Sequence, residues 1–506
     1  MPRDTGTTSS VWTDIQPPQL EPLTADQTCD VCVIGAGIAG LSTAYMLSNS
    51  GADVVVLEDG SVGGGETGRT TAHLTHALDD RYFKLEKIRG RDIARRAAQS
   101  HTEAISKIES IVGSEGIDCD FERLDGFLFV PPKRSTRVLK RELDACHRVG
   151  LTEVALVDKG PLESFDTGPC LRFPRQAQFH PMKYLDGLVA AIRRNGSHLF
   201  TEAHVTDVKG GSPTRVETQK GQIVRARAVV VATNTPITDV VSIHTKQFPY
   251  RTYAIGATVP SGSIPHALLW DTLDPYHYIR MQGENTLIVG GEDHKTGQDD
   301  DPRKRFRSLE RWARKRFPIE TVNFRWSGQI LETMDGLAYI GKDPSGLENV
   351  FIATGDSGMG MTHGTIAGIL LPELINGREH PWLEVYDPSR KPVLGLKDFV
   401  TENVNVAFQY ADWLKGGDVS SVDEIRPGEG AIIRDGAAKV AVYRSESGDV
   451  HSMSATCTHL GCVVGWNKVE KTWDCPCHGS RFDALGKVVN GPATRDLSVV
   501  SVRKIA

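Results

Sequence analysis

The sequence predicts an α/β chain: a Rossmann-like domain carrying a mixed-sheet subdomain, followed by a small all-β domain. Three observations predict this. An apolar strand pattern over residues 30–34 runs into Gly35-Ala36-Gly37-Ile38-Ala39-Gly40 and then a helical pattern. A second strand pattern over residues 53–57 ends in Glu58, near the spacing of about 20 residues that a ribose-binding acid takes in a βαβ unit. Beyond Gly417 the chain breaks into short strand-like runs, such as 430–434 and 439–443, around two loops rich in Cys and His.

Composition bounds the function. With 506 residues there is room for two or three domains, and 39% hydrophobic with 24% charged residues is ordinary for a soluble enzyme. A net charge of −6 without a Lys/Arg run argues against nucleic acid as a partner. The sequence shows no apolar run long enough for a membrane span. Residues 1–28 are polar, with Pro17, Pro18 and Pro22 and no signal-like apolar run, and are expected to form a flexible arm. The expected location is cytoplasmic. Cys29 and Cys32 lie on the first strand, where positions three apart point to opposite faces, so they read as structural thiols.

The glycines divide the labour of a dinucleotide site. Gly35 permits the tight turn, with Ala36 beside it; Gly37 lets backbone approach pyrophosphate, and Gly40 packs helix on strand. The helix start offers free N–H groups to phosphate, and Glu58 can accept from ribose. The loop after Glu58, residues 60–73, is rich in Gly and Thr, and Gly68, Thr70 and Thr71 suit further pyrophosphate and an isoalloxazine, which favours FAD over NAD. Strand, glycine turn and helix recur over residues 350–365, placing Gly355, Gly358, Met359 and Gly360 at the flavin's pyrimidine edge. A separate NAD(P)H fold would need a further strand with an acid. The chain instead runs through Pro372 and Pro381 toward a linker.

From residue 29 to about 375 the chain resembles the FAD oxidoreductases of the D-amino-acid oxidase and glycine oxidase group. The resemblance implies a flavin domain over 29–380, with a substrate subdomain inserted at about 111–170 and 236–330. It implies that the Val205 backbone meets the adenine and that Tyr253 and Tyr278 lie over the flavin. His73, after Thr70-Thr71-Ala72, resembles the histidine of relatives with covalent flavin, and equally suits a non-covalent site or core histidine. Glycine-oxidase-like enzymes clamp a substrate carboxylate with an Arg before the D-G-x-P-x-I-G motif. Here Gln329 or Ile330 occupies its place ahead of Asp335-Gly336, and Arg251 is the candidate replacement. Catalytic candidates are thus His73, Tyr253, Tyr278 and Gln329.

The two C-terminal loops read Cys457-Thr458-His459-Leu460-Gly461-Cys462 and Cys475-Pro476-Cys477-His478-Gly479-Ser480. Two thiolates and two imidazoles suit a [2Fe–2S] cluster of mixed ligation or a Cys₂His₂ zinc site. The single residue between Cys457 and His459, and the extra Cys in each loop, favour the cluster. The loops resemble those of cytochrome bc-type Rieske proteins. That resemblance implies Cys457, His459, Cys475 and His478 as ligands and a Cys462–Cys477 disulfide. It also makes Gly491-Pro492 the shielding proline loop. High-potential members carry Tyr where this chain has Phe482, which predicts a middling to low potential. The all-β Rieske domain is expected over 418–506, after a linker at 381–417 whose segment 397–415 forms a connecting helix.

Flavin followed by a Rieske tail resembles a group of bacterial fusion proteins. Together they imply a dehydrogenase of an amine or amino-acid derivative, with hydride passing to flavin and single electrons passing through the cluster. The acceptor would be an external protein or quinone. The alternatives are an NAD(P)H-dependent reductase for a separate oxygenase and a redox sensor. A Rieske oxygenase proper would need an iron domain of the 2-His-1-carboxylate type, and too few residues follow His478.

Overall fold

Val31, Val33, Val54, Val56 and Val230 have no exposed surface, because the strands they belong to are covered on both faces. Such strands read as continuous apolar runs, and they pair in parallel. In the computed structural model, which describes residues 6–131, 134–238, 242–298, 301–391, 413 and 416–500, they form the dinucleotide-binding sheet. Its strand order is Tyr339–Lys342, Val350–Thr354, Ile223–Val231, Gln27–Ile34, Val54–Leu57 and His198–Phe200, with Val205–Lys209 and Thr214–Thr218 alongside. Helices Ile38–Asn49 and Gly360–Ile375 lie close together against it. A Cβ on Gly364 would come within 2.7 Å of Ile38, and one on Gly368 within 2.7 Å of Ser42. Small residues bring both helix starts to one end of the sheet.

A nine-stranded mixed sheet forms the second lobe. Its path runs Thr321–Thr333, Gln247–Thr258, Thr286–Lys295, His277–Gln282, Leu268–Asp271, Glu122–Phe129, Cys170–Gln178 and His73–Leu74, with Ala155–Val157 paired beside Cys170–Gln178. Tyr82–Arg89 and Arg91–Glu115 are two helices separated at Gly90 with φ 84°. The basic helix Pro302–Arg314 exposes Arg303, Arg307, Arg311 and Arg314 and buries Phe306, Leu309 and Ala313.

The C-terminal domain pairs a three-stranded sheet, Glu429–Asp435, Ala438–Arg444 and Val450–Ser454, with a four-stranded one. The latter comprises Gly465–Asn467, Thr472–Asp474, Arg481–Asp483 and Val488–Asn490. Trp473 and Phe482 are fully buried in the same apolar cluster as Cys457, Cys462, Cys475 and Cys477.

The amino-terminal arm corrects the sequence expectation. Trp12 is 1% exposed, and its Nε1 donates to the Thr70 carbonyl at 2.7 Å. Ser10 Oγ donates to Gly68 O at 2.7 Å, and the Arg280 guanidinium lies over the Trp12 ring. A buried indole with a satisfied N–H outweighs the polar, Pro-rich context that suggested a loose segment. The connecting helix expected at 397–415 lies outside the described residues, apart from Trp413, whose Nε1 donates to Gly461 O at 3.2 Å. Among the described residues, no helix is long and apolar enough to cross a membrane.

Candidate cofactor and electron-transfer site

The end of the dinucleotide sheet opens on a cavity of about 330 Å³, within the range of ligand sites. Gly35 makes the turn at φ 103°, where a Cβ would strike Ala232 O at 2.5 Å. At Gly37 a Cβ would meet only Thr67 Oγ1, at 3.0 Å, so this glycine leaves the cavity floor open. Glu58 accepts from Ala36 N at 2.6 Å and Gly60 N at 2.9 Å, and burial raises its carboxyl despite both bonds. It therefore ties the two turns together while facing the cavity.

Most residues anticipated for the cofactor line this cavity: Gly35, Gly37, Glu58, Thr70, Thr71, Val205, Gly355, Gly358, Met359 and Gly360. Three do not, and their roles lie one layer out. Ala36 holds the loop through its N–H to Glu58 and its carbonyl to Gly63 N. Gly40 lets helix meet turn, since a Cβ there would lie 1.9 Å from Gly35 O. Gly68 closes a turn by donating to Gly63 O at 2.9 Å.

At the second-lobe end the lining includes His73, Asp79, Thr252, Trp270, Tyr276 and Tyr278. His73 contacts Thr71 Oγ1 at 3.2 Å and Ile279 O at 3.3 Å, and burial pulls its pKa down to about 3, so the ring is neutral. Tyr276 OH donates to Asp79 Oδ2 at 2.9 Å, and burial pushes Asp79 up to about 6. Tyr278 lines the cavity, and Tyr253 does not. The register between Gln247–Thr258 and Thr286–Lys295 slips between Arg251 and Tyr253, which turns Thr252 to the cavity. The Tyr253 ring packs instead on His294 and Phe306, with centroids at 5.6 and 4.9 Å.

Arg251 is likewise no carboxylate clamp. It is 1% exposed and pairs with Glu470 of the C-terminal domain at 3.3 Å. Among the described residues lining the cavity, Arg69 is the only Arg or Lys, and it too is held by Glu470 (3.3 Å) and by Ser327 O (2.9 Å). Gln329 lines the cavity, but its amide is committed: Nε2 donates to Gly479 O at 3.2 Å and Oε1 accepts from Thr296 at 3.3 Å. It bridges two domains rather than reaching for a donor molecule.

In the C-terminal domain, Gly461 and Gly479 both turn at φ 79°, giving the two loops matching bends. The Cys457 sulfur is approached by the thiol of Cys475, by the N–H groups of His459 and Leu460, and by Ser480. The neighbouring Cys475 thiol is the largest influence holding Cys457 down, to about 7. Cys475 in turn receives the N–H groups of Cys477 and His478. The rings of His459 and His478 stand 5.1 Å apart, and burial pulls His478 down to about 3, leaving it neutral as a ligand must be. Cys462 and Cys477 form a disulfide between the loops. His244 of the flavin domain stands against both imidazoles, with centroids at 4.9 and 5.8 Å.

The two domains share a buried charged seam. Glu470, with its side chain fully buried, accepts from Arg69, Arg251, Ser327 and Thr8. Burial works to raise its carboxyl, and Arg69, Arg251 and Arg481 outweigh that and hold it at about 2. Arg481 pairs with buried Asp474 at 3.1 Å. Asn490 Nδ2 donates to Glu66 Oε1 at 3.0 Å, and His204 contacts Thr494 O at 2.9 Å.

Comparison with known proteins decides the assignment. Residues 30–374 match the family model of FAD dependent oxidoreductases (DAO), and residues 415–502 match that of the Rieske [2Fe-2S] domain. The chain belongs to the DAO family of FAD dependent oxidoreductases, with a C-terminal Rieske domain. A protein of Bacillus subtilis named as a Rieske 2Fe-2S iron-sulfur protein, YhfW, is 32% identical over 96% of both chains. Gamma-glutamylputrescine oxidoreductase of Escherichia coli is 29% identical, over 69% of this chain and 84% of its own. In structure, glycine oxidase from Geobacillus kaustophilus superposes with a TM-score of 0.61 at 19% identity, over 72% of this chain and 99% of its own. That likeness is one of fold.

The residues present fit both groups. The open face at Gly37 and the buried, unpartnered Nδ2 of Asn234 on the cavity wall suit FAD. Asn234 sits at φ 62°, a left-handed position that Asn tolerates. The N–H groups converging on Cys457 and Cys475, with two neutral imidazoles beside them, suit a cluster with thiolates on one iron and histidines on the other. Glu66, Glu470, Asn490 and His244 went unnoticed in the sequence. Each acts across a domain boundary, and no local motif marks such a residue.

Proposed function

We propose that this protein dehydrogenates an amine or amino-acid-like donor by hydride transfer to FAD, the electrons leaving singly through the Rieske cluster to an external acceptor. The observation that carries this reading is the position of the cluster domain. Its segment 488–494 lies on the wall of the same cavity as Gly37 and Tyr278, and both its cluster histidines face His244 of the flavin domain. Bound FAD supplies two-electron acceptance, and a Rieske cluster supplies one-electron transfer.

The chain's own residues would position the donor. Trp270, Tyr276 and Tyr278 give an aromatic wall, and Asp79 gives a carboxylate for an ammonium. With no uncommitted guanidinium among the described residues of the cavity wall, an amine without a carboxylate beside the reacting carbon suits the site better than a simple amino acid. The relative named for gamma-glutamylputrescine supports an amine donor. Burial keeps His73 neutral, so it is not a cationic general acid, and the site works by orientation. The acceptor is a protein or quinone, and the expected setting is the cytoplasm.

A panel of amines, N-methyl amino acids, D-amino acids and NADH, assayed with a one-electron acceptor, tests the reading. Turnover with an amine supports it. Turnover with NADH alone replaces it with a reductase.

A further inference from the structure

The Rieske domain closes one side of the FAD cavity. Val488, Val489, Asn490, Gly491, Ala493 and Thr494 line it together with the dinucleotide turn. The segment is rigidly tied to the cluster loops: Ala493 N donates to Ser480 Oγ at 3.1 Å, and Asn490 pairs with Arg481 across adjacent strands. It is also tied to the flavin domain, by residues that themselves face the cofactor space. Asn490 Nδ2 donates to Glu66 Oε1 (3.0 Å), whose other oxygen accepts from Gln329 N (2.6 Å). His204 joins Asp59 (3.0 Å) to Thr494 O (2.9 Å). Glu66, Gln329, Asp59 and His204 all belong to the cavity lining.

We propose that segment 488–494 is part of the FAD site, so that FAD binding and docking of the Rieske domain stabilise one another. A ligand that touches walls from two bodies binds their docked arrangement better than the separated one. By linkage, docking then raises FAD affinity by the same factor that FAD strengthens docking. The seam outside the cavity supplies the handle. Glu470 is absent from the lining, yet it neutralises Arg69 and Arg251 in a buried position. Removing its charge weakens docking through a side chain that is not itself part of the lining. The proposal rests on FAD as the occupant of the cavity and is independent of donor and acceptor.

Hydrogen exchange on the full chain tests it, comparing apoprotein with FAD-loaded protein. Amides of residues 488–494 are expected to exchange about tenfold more slowly with FAD bound, a coupling in the usual range. In parallel, Glu470→Ala is expected to bind FAD about tenfold more weakly, read by flavin fluorescence, while retaining its Rieske EPR spectrum. If 488–494 exchange alike with and without FAD in the wild type, the proposal is overturned, whatever the variant does.

Discussion

Gln329 Nε2 donates to the carbonyl oxygen of Gly479, the residue directly after His478, which we propose as a cluster ligand. Because Gln329 also lines the FAD cavity, one side chain touches the surroundings of both redox centres. At the position where the resemblance to glycine-oxidase-like enzymes leads one to expect a substrate-clamping Arg, Gln329 instead joins the flavin domain to the Rieske domain. Close, fixed placement of the two centres is what transfer within one chain requires.

Replacing His478 by Ala removes one of the two imidazoles and leaves the flavin cavity intact. The variant should lose the Rieske EPR signal and keep bound FAD by absorbance. A surviving signal would exclude His478 as a ligand.

Glu470→Ala strands the buried guanidinium groups of Arg69 and Arg251. Breaking a buried pair of this kind costs about 3–5 kcal/mol. Denaturant unfolding should show that loss, and a change within ±0.5 kcal/mol would mean the seam is not stabilising. The seam also gives an acid limit. The Glu470 carboxyl is held at about 2 when folded, against about 4.3 for an ordinary glutamate. A depressed acid stabilises above its unfolded value and ceases to as pH falls through the folded one. Its contribution should therefore be complete above about pH 5 and fade toward about pH 2. In Glu470→Ala that component of the stability profile should be missing.

Phe482 is fully buried in the cluster-domain core and offers no hydroxyl to the ligand sulfur. In Phe482→Tyr a new hydrogen bond of about 1 kcal/mol should raise the midpoint potential by roughly 40 mV for a one-electron couple. An EPR-monitored redox titration reads the shift directly. A potential unchanged or lowered would contradict the hydrogen-bond account.

Gly37→Val places branched methyl groups where only Thr67 Oγ1 bounds the cavity floor. The purified variant should contain little FAD while its Rieske spectrum persists. Stoichiometric flavin would place the pyrophosphate elsewhere.

Trp12→Ala removes a buried indole from the arm and should destabilise the flavin domain by about 3–5 kcal/mol. Thermal unfolding followed by flavin fluorescence checks it. An unchanged midpoint would restore the view of the arm as loose.

What could be read from the sequence was local chemistry. The turn at Gly35–Gly40, the acid Glu58 and both cluster loops are contiguous patterns in which backbone need dictates residue type. The mixed sheet was legible in outline from alternating patterns such as that over residues 248–259, which the structure has as the strand Gln247–Thr258. Within that strand, however, a register slip next to Tyr253 reversed which side chains face the cavity, and alternation alone cannot place such a slip. Arg251 looked like a free cation because its partner, Glu470, lies more than two hundred residues away. Trp12 looked like part of a flexible arm because its partners, Thr70 and Arg280, belong to other elements. Interdomain contacts are set by tertiary packing, so their residues carry no signature of their own.

Anaerobic photoreduction of the flavin, followed together by absorbance and EPR, tests internal transfer most directly, because it needs no knowledge of the donor. The account predicts that the Rieske EPR signal grows as the flavin is reduced. It further predicts that Glu470→Ala slows that growth. A fully reduced flavin beside an oxidised cluster that dithionite still reduces would contradict it.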